Sequence, residues 1–139
     1  MISAVESSQA IVRDWRYRIG WTLSGLAILF LLMDSTMKLM ALPVVLASGA
    51  ELGMGGIAMA RGLGTVLIVC TILYAVPRTA VLGAILLTGF LGGAVATHVR
   101  VGSPLFSHVL FGVYLGLFVW GGIYLREPKL RKVIPIRGT

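Results

Sequence analysis

Pro77–Phe106 reads P-R-T-A-V-L-G-A-I-L-L-T-G-F-L-G-G-A-V-A-T-H-V-R-V-G-S-P-L-F. It opens on a proline–arginine stop, runs for 19 residues from Thr79 to Thr97 without a charge, and ends in His98, Arg100 and Gly102. About 20 residues at 1.5 Å rise cover a hydrocarbon core of roughly 30 Å, so the run reads as a membrane-spanning helix. Gly89, Gly93 and Thr97 fall four apart, with Gly92 and Ala96 beside them. Such small-residue stripes let helix backbones approach closely where no hydrophobic effect drives them together. This helix is therefore expected to be the central packing element, with a polar cluster mounted on one end.

The remainder of the 139-residue chain extends that reading. It is 58% hydrophobic and 12% charged, with a mean hydropathy of +0.95. Soluble domains carry about 25% charged residues, so an integral membrane protein is indicated. The length admits four spans and excludes a large extramembrane catalytic domain. Net charge is +7, but the basic residues flank apolar segments. There they set topology and attract anionic head groups, so membrane lipids, and no nucleic acid, are the expected partners. Cys70 is the sole cysteine. It excludes an intramolecular disulfide and paired-thiol redox chemistry, and reads as a small apolar packing residue.

The fold class is all-α: a polytopic four-helix transmembrane bundle, residues 19–125, forming a single domain. Residues 1–18 (with R-D-W-R-Y-R at Arg13–Arg18) suit a basic, aromatic lead-in at the membrane surface. A secretory signal peptide competes for this region, but the stretch before the apolar run is long and no A-x-A-like site follows it. The first span is read at 19–40, interrupted near its far end by Asp34 and Lys38. In residues 41–58, Pro43 starts a short interfacial helix and a glycine-rich turn follows. The second span covers 59–76, the third 79–98 and the fourth 105–125, the last with its own pair Gly112 and Gly116. Residues 126–139 form a basic surface tail.

Four spans put both termini on one side. Arg13, Arg16, Arg18, Arg78, Arg126, Lys129, Arg131, Lys132 and Arg137 fall on that side, against Lys38, Arg61 and Arg100 on the other. The positive-inside bias places both termini in the cytoplasm of a multi-pass cell-membrane protein. Trp15, Tyr17, Trp21, Tyr74, Trp120 and Tyr124 gather near the same face, as an interfacial belt does.

Depth follows from helix rise. Counted from Arg18, Asp34 stands about 24 Å up a core of roughly 30 Å; counted back from Arg78, Arg61 stands at about 25 Å. His98 reaches about 30 Å, and His108 lies about 27 Å from Arg126. Lys38, Glu51 and Arg100 fall at the same rim. Asp34, Lys38, Glu51, Arg61, His98, Arg100 and His108 thus converge on the outer end. Ionisable groups below the membrane surface usually face the bundle interior, paired or functional. Two readings stand side by side: Asp34–Lys38 (an i,i+4 pair) and Asp34–Arg61 neutralise one another and pin the helices, or the cluster walls a polar pocket. No H-x-x-x-H or H-E-x-x-H spacing occurs, so no metal site is expected. Both histidines flank one short turn, which argues against a bis-histidine haem. No Walker, dinucleotide or G-x-S-x-G motif is present.

From Asp34-Ser-x-x-Lys38 onward, over roughly residues 20–135, the chain resembles the DoxX-like family of small four-span membrane proteins. The residues that carry it are the Pro77–Phe106 block, with its T-G-x-L-G-G-A-V-A-T-H-x-R core, then W-G-G-I-Y-L-R at Trp120–Arg126 and L-R-K-V-I-P at Leu130–Pro135. The resemblance implies a four-helix bundle and carries His98 and Arg100 over as motif positions, with Lys38 and Glu51 as looser matches. Arg61 departs from it, standing where an apolar or acidic residue is expected. The family takes its name from a subunit associated with an archaeal terminal quinol oxidase. Its relatives are linked to sulfur redox metabolism, and an animal relative resembles a receptor-assembly chaperone. This is analogy at the level of the fold.

The leading functional expectation is a binding or accessory subunit. Its outer pocket would take a lipophilic small molecule, quinone-like, or a partner's transmembrane helix. Asp34, Arg61 and His98 would orient the head group, and Phe106, Phe111 and Tyr114 would line the apolar part. The alternative is a quinone-linked redox subunit, with His98 handling the proton and Arg100 or Arg61 stabilising a quinol anion. No bound redox cofactor can be argued from the sequence, so electrons would come from a partner and the chain is not expected to be an enzyme on its own. A minimal transporter, built on the broken segment at Gly49–Gly56, ranks last. The glycine stripes admit a homodimer as readily as intramolecular packing.

Overall fold

The computed structural model describes residues 2–134, and these are all-α. Residues 135–139, with Pro135 and Arg137 of the expected tail, lie outside the described residues. Helix α1 covers Ile2–Leu39, α2 Pro43–Glu51, α3 Ile57–Ala75, α4 Ala80–Arg100 and α5 Phe111–Arg126. A π-helical turn, Leu105–Val109, leads into α5, and a 3-10 turn, Leu130–Lys132, follows it. Four segments are long and apolar enough to cross a membrane: α1, α3, α4 and Leu105–Arg126.

The spans form a ring. α1 packs on α3 and α5, and α4 packs on the same two from the opposite corner. Tyr74, Leu67, Leu87, Leu31, Val119 and Ile123 fill the centre and are essentially inaccessible. The outward faces carry Leu29, Ile85, Leu117 and other large apolar side chains. Lipid tails are as apolar as these residues, so association of the spans relies on close packing and interhelical hydrogen bonds.

Each of the four crossings is built around a glycine. A Cβ at Gly20 would stand 2.8 Å from Gly122 O, joining α1 to α5, and one at Gly64 would stand 2.9 Å from Leu39 N, joining α3 to α1. Gly83 lies against the Tyr74 backbone between α4 and α3, and Gly112 would meet Val95 Cγ2 at 2.9 Å between α5 and α4. Gly112 was expected at a contact, and is. Gly89, Gly92 and Gly93 were not expected to be open, yet a Cβ on any of them meets nothing within 4 Å. The central α4 stripe therefore makes no helix crossing within the chain. The helix diagonally across the ring from α4 is α1, and the space beside Gly89 and Gly93 remains open.

Polar side chains inside the spans satisfy themselves locally. Thr22, Thr36, Thr65, Thr71, Thr88 and Thr97 each donate to the carbonyl four residues earlier at 2.7–2.9 Å. That costs little helix stability and leaves no bare hydroxyl facing hydrocarbon.

At the end away from the termini, three helices stop in the same way. Leu42 N donates to Met37 O and Ala41 N to Lys38 O; Met54 N to Gly49 O and Gly53 N to Ala50 O; Ser103 N to His98 O and Gly102 N to Val99 O. Each is the paired 6→1 and 5→2 pattern of a Schellman cap, with a left-handed residue at its apex. The apex residues have φ of 51° at Ala41, 71° at Gly53 and 69° at Gly102.

Residues 2–18 continue α1 as helix rather than forming a separate segment. At 1.5 Å per residue, the 38 residues of α1 extend about 57 Å, well beyond a hydrocarbon core of roughly 30 Å.

Candidate functional site

The far end of the ring encloses a cavity of about 480 Å³, bounded by Phe30, Leu31, Asp34 and Lys38 of α1, Leu52 and Met54 of the α2–α3 turn, and Leu63 of α3. Gly89, Gly93, Thr97 and His98 of α4, with His108, Phe111 and Leu115, complete the wall. The missing side chains at Gly89 and Gly93 are what make this space. A smaller cavity of about 260 Å³ lies under α2, and Asp34, Lys38, Leu52, Met54 and Leu63 are common to both walls.

One turn of α1 supplies the charge. Lys38 Nζ donates to Asp34 Oδ1 at 2.5 Å, and the two side chains are only 22% and 30% exposed. Ser35 on the same turn is buried and donates to Leu32 O at 3.0 Å. The pair is neutral as a unit yet presents both a donor and an acceptor to the cavity wall.

The histidines meet across the α4–α5 connection, with ring centroids 5.7 Å apart at an interplanar angle of 62°. The Schellman cap at Gly102 turns Ser103 back onto α4, and its Oγ stands 3.0 Å from His98 Nδ1. The π-helical turn carries Ser107 and His108, and Ser107 Oγ stands 2.7 Å from His108 Nδ1. Both rings are held through Nδ1, and neither Nε2 has a protein partner among the described residues. Short π-helical insertions of this kind often accompany functional sites. Among the described residues no three His, Cys, Asp or Glu side chains converge as a metal cage.

The remaining residues expected at this site lie outside the cavity wall. Arg61 does not reach Asp34: its Nε donates to Leu39 O at 3.2 Å, closing the Ala41 cap from outside. The expected Asp34–Arg61 pair is absent because Lys38, on the same helix face, already holds the carboxylate. Arg100 Nη2 donates to Leu52 O at 2.6 Å and so ties the end of α4 to the turn after α2. Glu51, the last residue of α2, is exposed. Tyr114 is 42% exposed and Phe106 74% exposed; neither lines the cavity, whereas Phe111 does, tilted against Phe30 with centroids 5.1 Å apart. Both Tyr114 and Phe106 fall on the outward side of their turns.

Sequence reasoning missed a second polar centre at the opposite end. Tyr74, assigned to the interfacial belt, is fully buried. Its hydroxyl donates to Val119 O at 2.7 Å and stands 2.9 Å from Ser24 Oγ. Arg126, counted among the surface charges, is 8% exposed, with its guanidinium carbon 4.1 Å from the Trp21 ring centroid and 5.4 Å from that of Tyr74. Cation–π contact offsets part of the cost of burying that charge. The sequence signal was spacing: Trp21 three residues before Ser24, and Tyr74 close to the Pro77 stop. Trp120 likewise faces inward far enough to donate from Nε1 to Thr88 Oγ1 at 2.7 Å.

No curated protein and no solved structure matches the chain. A family model does, over residues 22–122 of the 139. That interval reaches into all four spans and contains every residue of the cavity wall, and the chain belongs to the DoxX-like family.

Proposed function

We propose that the far-end cavity binds a lipophilic small molecule with a polar head, quinone-like in character, and that the protein acts as a binding or accessory subunit in the membrane. The observation that carries this reading is the cavity's composition. It is an apolar, glycine-walled space of about 480 Å³ with the Asp34–Lys38 pair and His98 and His108 on its wall. Ligand sites are commonly clefts of about 300–1,000 Å³, mostly apolar, with a few placed polar groups. A ring with hydrogen-bonding oxygens could take a proton donor from Lys38 and meet an imidazole Nε2, while Phe30, Phe111 and Leu115 hold its apolar body. The excess of basic residues at the end carrying the termini supports placing that end in the cytoplasm and the cavity towards the outer leaflet.

The test is native mass spectrometry of protein extracted from its own membranes, followed by release of what is bound. A stoichiometric lipophilic compound that is lost in His98→Ala and Asp34→Asn supports the reading. Protein that emerges empty from mild extraction, and binds no added quinone, defeats it.

A further inference from the structure

At the opposite end of the molecule, a groove of about 380 Å³ runs between the first half of α1 and the chain after α5. Ser8, Gln9, Arg13 and Arg16 line it from α1, and Arg131 lines it from the 3-10 turn. Positions 9, 13 and 16 repeat at helical spacing, so they share one face of α1. No carboxylate belongs to its wall. The two salt bridges among the described residues are Arg18–Asp14 and Lys38–Asp34, so Arg13, Arg16 and Arg131 have no acidic partner there.

Arg131 is the least exposed of the three arginines. Among the described residues, two buried side-chain polar atoms lack any hydrogen-bond partner, and both are guanidinium nitrogens of this end: Nε of Arg126 and Nε of Arg131. The Arg126 guanidinium lies over the Trp21 ring. Among the described residues no aromatic ring lies over the Arg131 guanidinium, and Arg131 lines the groove. Arg131 Nε is itself inaccessible, so the groove is served by the outer guanidinium nitrogens of Arg131, which are not among those buried atoms.

The level of the groove narrows the ligand. Arg16 and Arg13 precede Arg18, the edge of the apolar span, by about 3 and 7.5 Å of helix. Head groups occupy roughly 5–7 Å beyond each edge of the hydrocarbon core. Arg16 therefore stands within the head-group layer and Arg13 at its outer limit, the level at which lipid phosphates lie.

We propose that this groove is a binding site for the phosphate of an anionic phospholipid, held by Arg13, Arg16 and Arg131. Forked guanidinium groups match phosphate oxygens in pairs. The site is separate from the far-end cavity and does not depend on what that cavity binds.

The experiment uses the full-length protein in neutral detergent, titrated with phosphatidylglycerol, phosphatidylcholine or inorganic phosphate and read by native mass spectrometry. Phosphatidylglycerol is expected to be retained over phosphatidylcholine. Arg131→Gln and the double variant Arg13→Gln/Arg16→Gln should each lower its retention by about tenfold, as expected for loss of charge-assisted hydrogen bonds. Arg78→Gln removes an equal charge from the exposed α3–α4 turn, outside the groove, and should leave retention within about twofold because screening is strong at a distance. Equal loss in Arg78→Gln and Arg131→Gln would mean diffuse attraction and overturn the site. So would equal retention of the two lipids, or inorganic phosphate bound in preference to lipid. Arg13 and Arg16 are exposed, so their double variant decides the matter even if Arg131→Gln does not fold.

Discussion

Tyr74 of α3 reaches across the centre of the ring and donates its hydroxyl hydrogen to Val119 O of α5 at 2.7 Å. With that hydrogen committed, the 2.9 Å contact to Ser24 Oγ has the serine as donor. A single hydrogen-bonded chain thus joins α1, α3 and α5, and it spans the two opposite corners of the ring held by α3 and α5. All of its side chains are fully buried.

Tyr74→Phe is therefore expected to destabilise the bundle by about 1–2 kcal/mol, the upper range for interhelical hydrogen bonds in membranes. The loss stays modest because Ser24 can turn its hydroxyl to a carbonyl of its own helix and Val119 O keeps its helical partner. Ser24→Ala should cost less, and the double variant less than the sum, since both remove the same link. Equilibrium unfolding in mixed micelles measures all three; strict additivity would mean that the chain of bonds carries no coupling.

Glycine substitutions should separate tight crossings from open space. Gly83→Ala drives a methyl into the Tyr74 backbone, which cannot withdraw without parting α3 from α4. A loss of about 3 kcal/mol or more, or failure to fold, is expected. Gly92→Ala places its methyl where no atom lies within 4 Å, and should cost nothing or raise stability by up to about 1 kcal/mol through the lower freedom of the unfolded chain. Thermal unfolding of the two detergent-solubilised variants, run side by side, reads the contrast.

The same contrast explains what the sequence disclosed and what it withheld. Span count and the gathering of Asp34, Lys38, His98 and His108 at one end follow from hydropathy and helix rise, which depend on counting along one helix at a time. Which glycine touches which neighbour depends on the rotation of each helix about its axis. Apolar spans with weak amphipathicity do not encode that rotation strongly. Gly89 and Gly93 thus read as a packing stripe and instead wall a cavity. Arg61 failed as a partner of Asp34 for a related reason: depth placed the two level, but the carbonyl of Leu39 and the amine of Lys38 were closer to each. Tyr74 and Arg126 read as interface residues because both stand near an end of a span, and neither the Trp21 stacking nor the reach to Val119 is visible in one dimension.

Filling the cavity should be possible without disturbing the fold. Gly93 lines it, and a Cβ there meets nothing within 4 Å, so Gly93→Leu has room to place its side chain in or beside the space. The expected result is a folded protein, eluting like the parent on size exclusion, that retains about a tenth or less of the parent's lipophilic ligand. Undiminished retention would place the ligand elsewhere.

The Asp34–Lys38 pair should show the asymmetry of part-buried charges. Asp34→Asn leaves the Lys38 ammonium about four-fifths covered with no carboxylate, whereas Asp34→Asn/Lys38→Met removes both charges. The single variant is expected to lose about 1–2 kcal/mol, discounted from the value for a fully buried pair because water still reaches both groups. The double variant should recover at least half of that. Unfolding midpoints in mixed micelles distinguish the two; a double variant worse than the single would mean that Lys38 serves the fold through something other than Asp34.

Ala41 offers a change that should stabilise the protein. It occupies the apex of the first Schellman cap at φ 51°, the position filled by Gly53 and Gly102 in the other two caps. A left-handed conformation costs an L-residue roughly 1–2 kcal/mol relative to glycine, because its Cβ crowds the carbonyl oxygen. Glycine in turn gives back about 0.5–1 kcal/mol through the greater freedom of the unfolded chain. Ala41→Gly should therefore raise stability by about 0.5–1 kcal/mol. Gly102→Ala, at φ 69° with no atom within 4 Å of the added methyl, should lower it by a similar amount, since there only the backbone conformation resists the change. Ala41 follows Lys38 of the cavity wall by three residues, and Gly102 follows His98 by four. Reading their unfolding beside ligand retention shows whether a stiffer cap at Ala41 also steadies the Asp34–Lys38 turn that precedes it. A loss of stability in Ala41→Gly would mean that the alanine methyl makes a packing contact worth more than the strain it imposes.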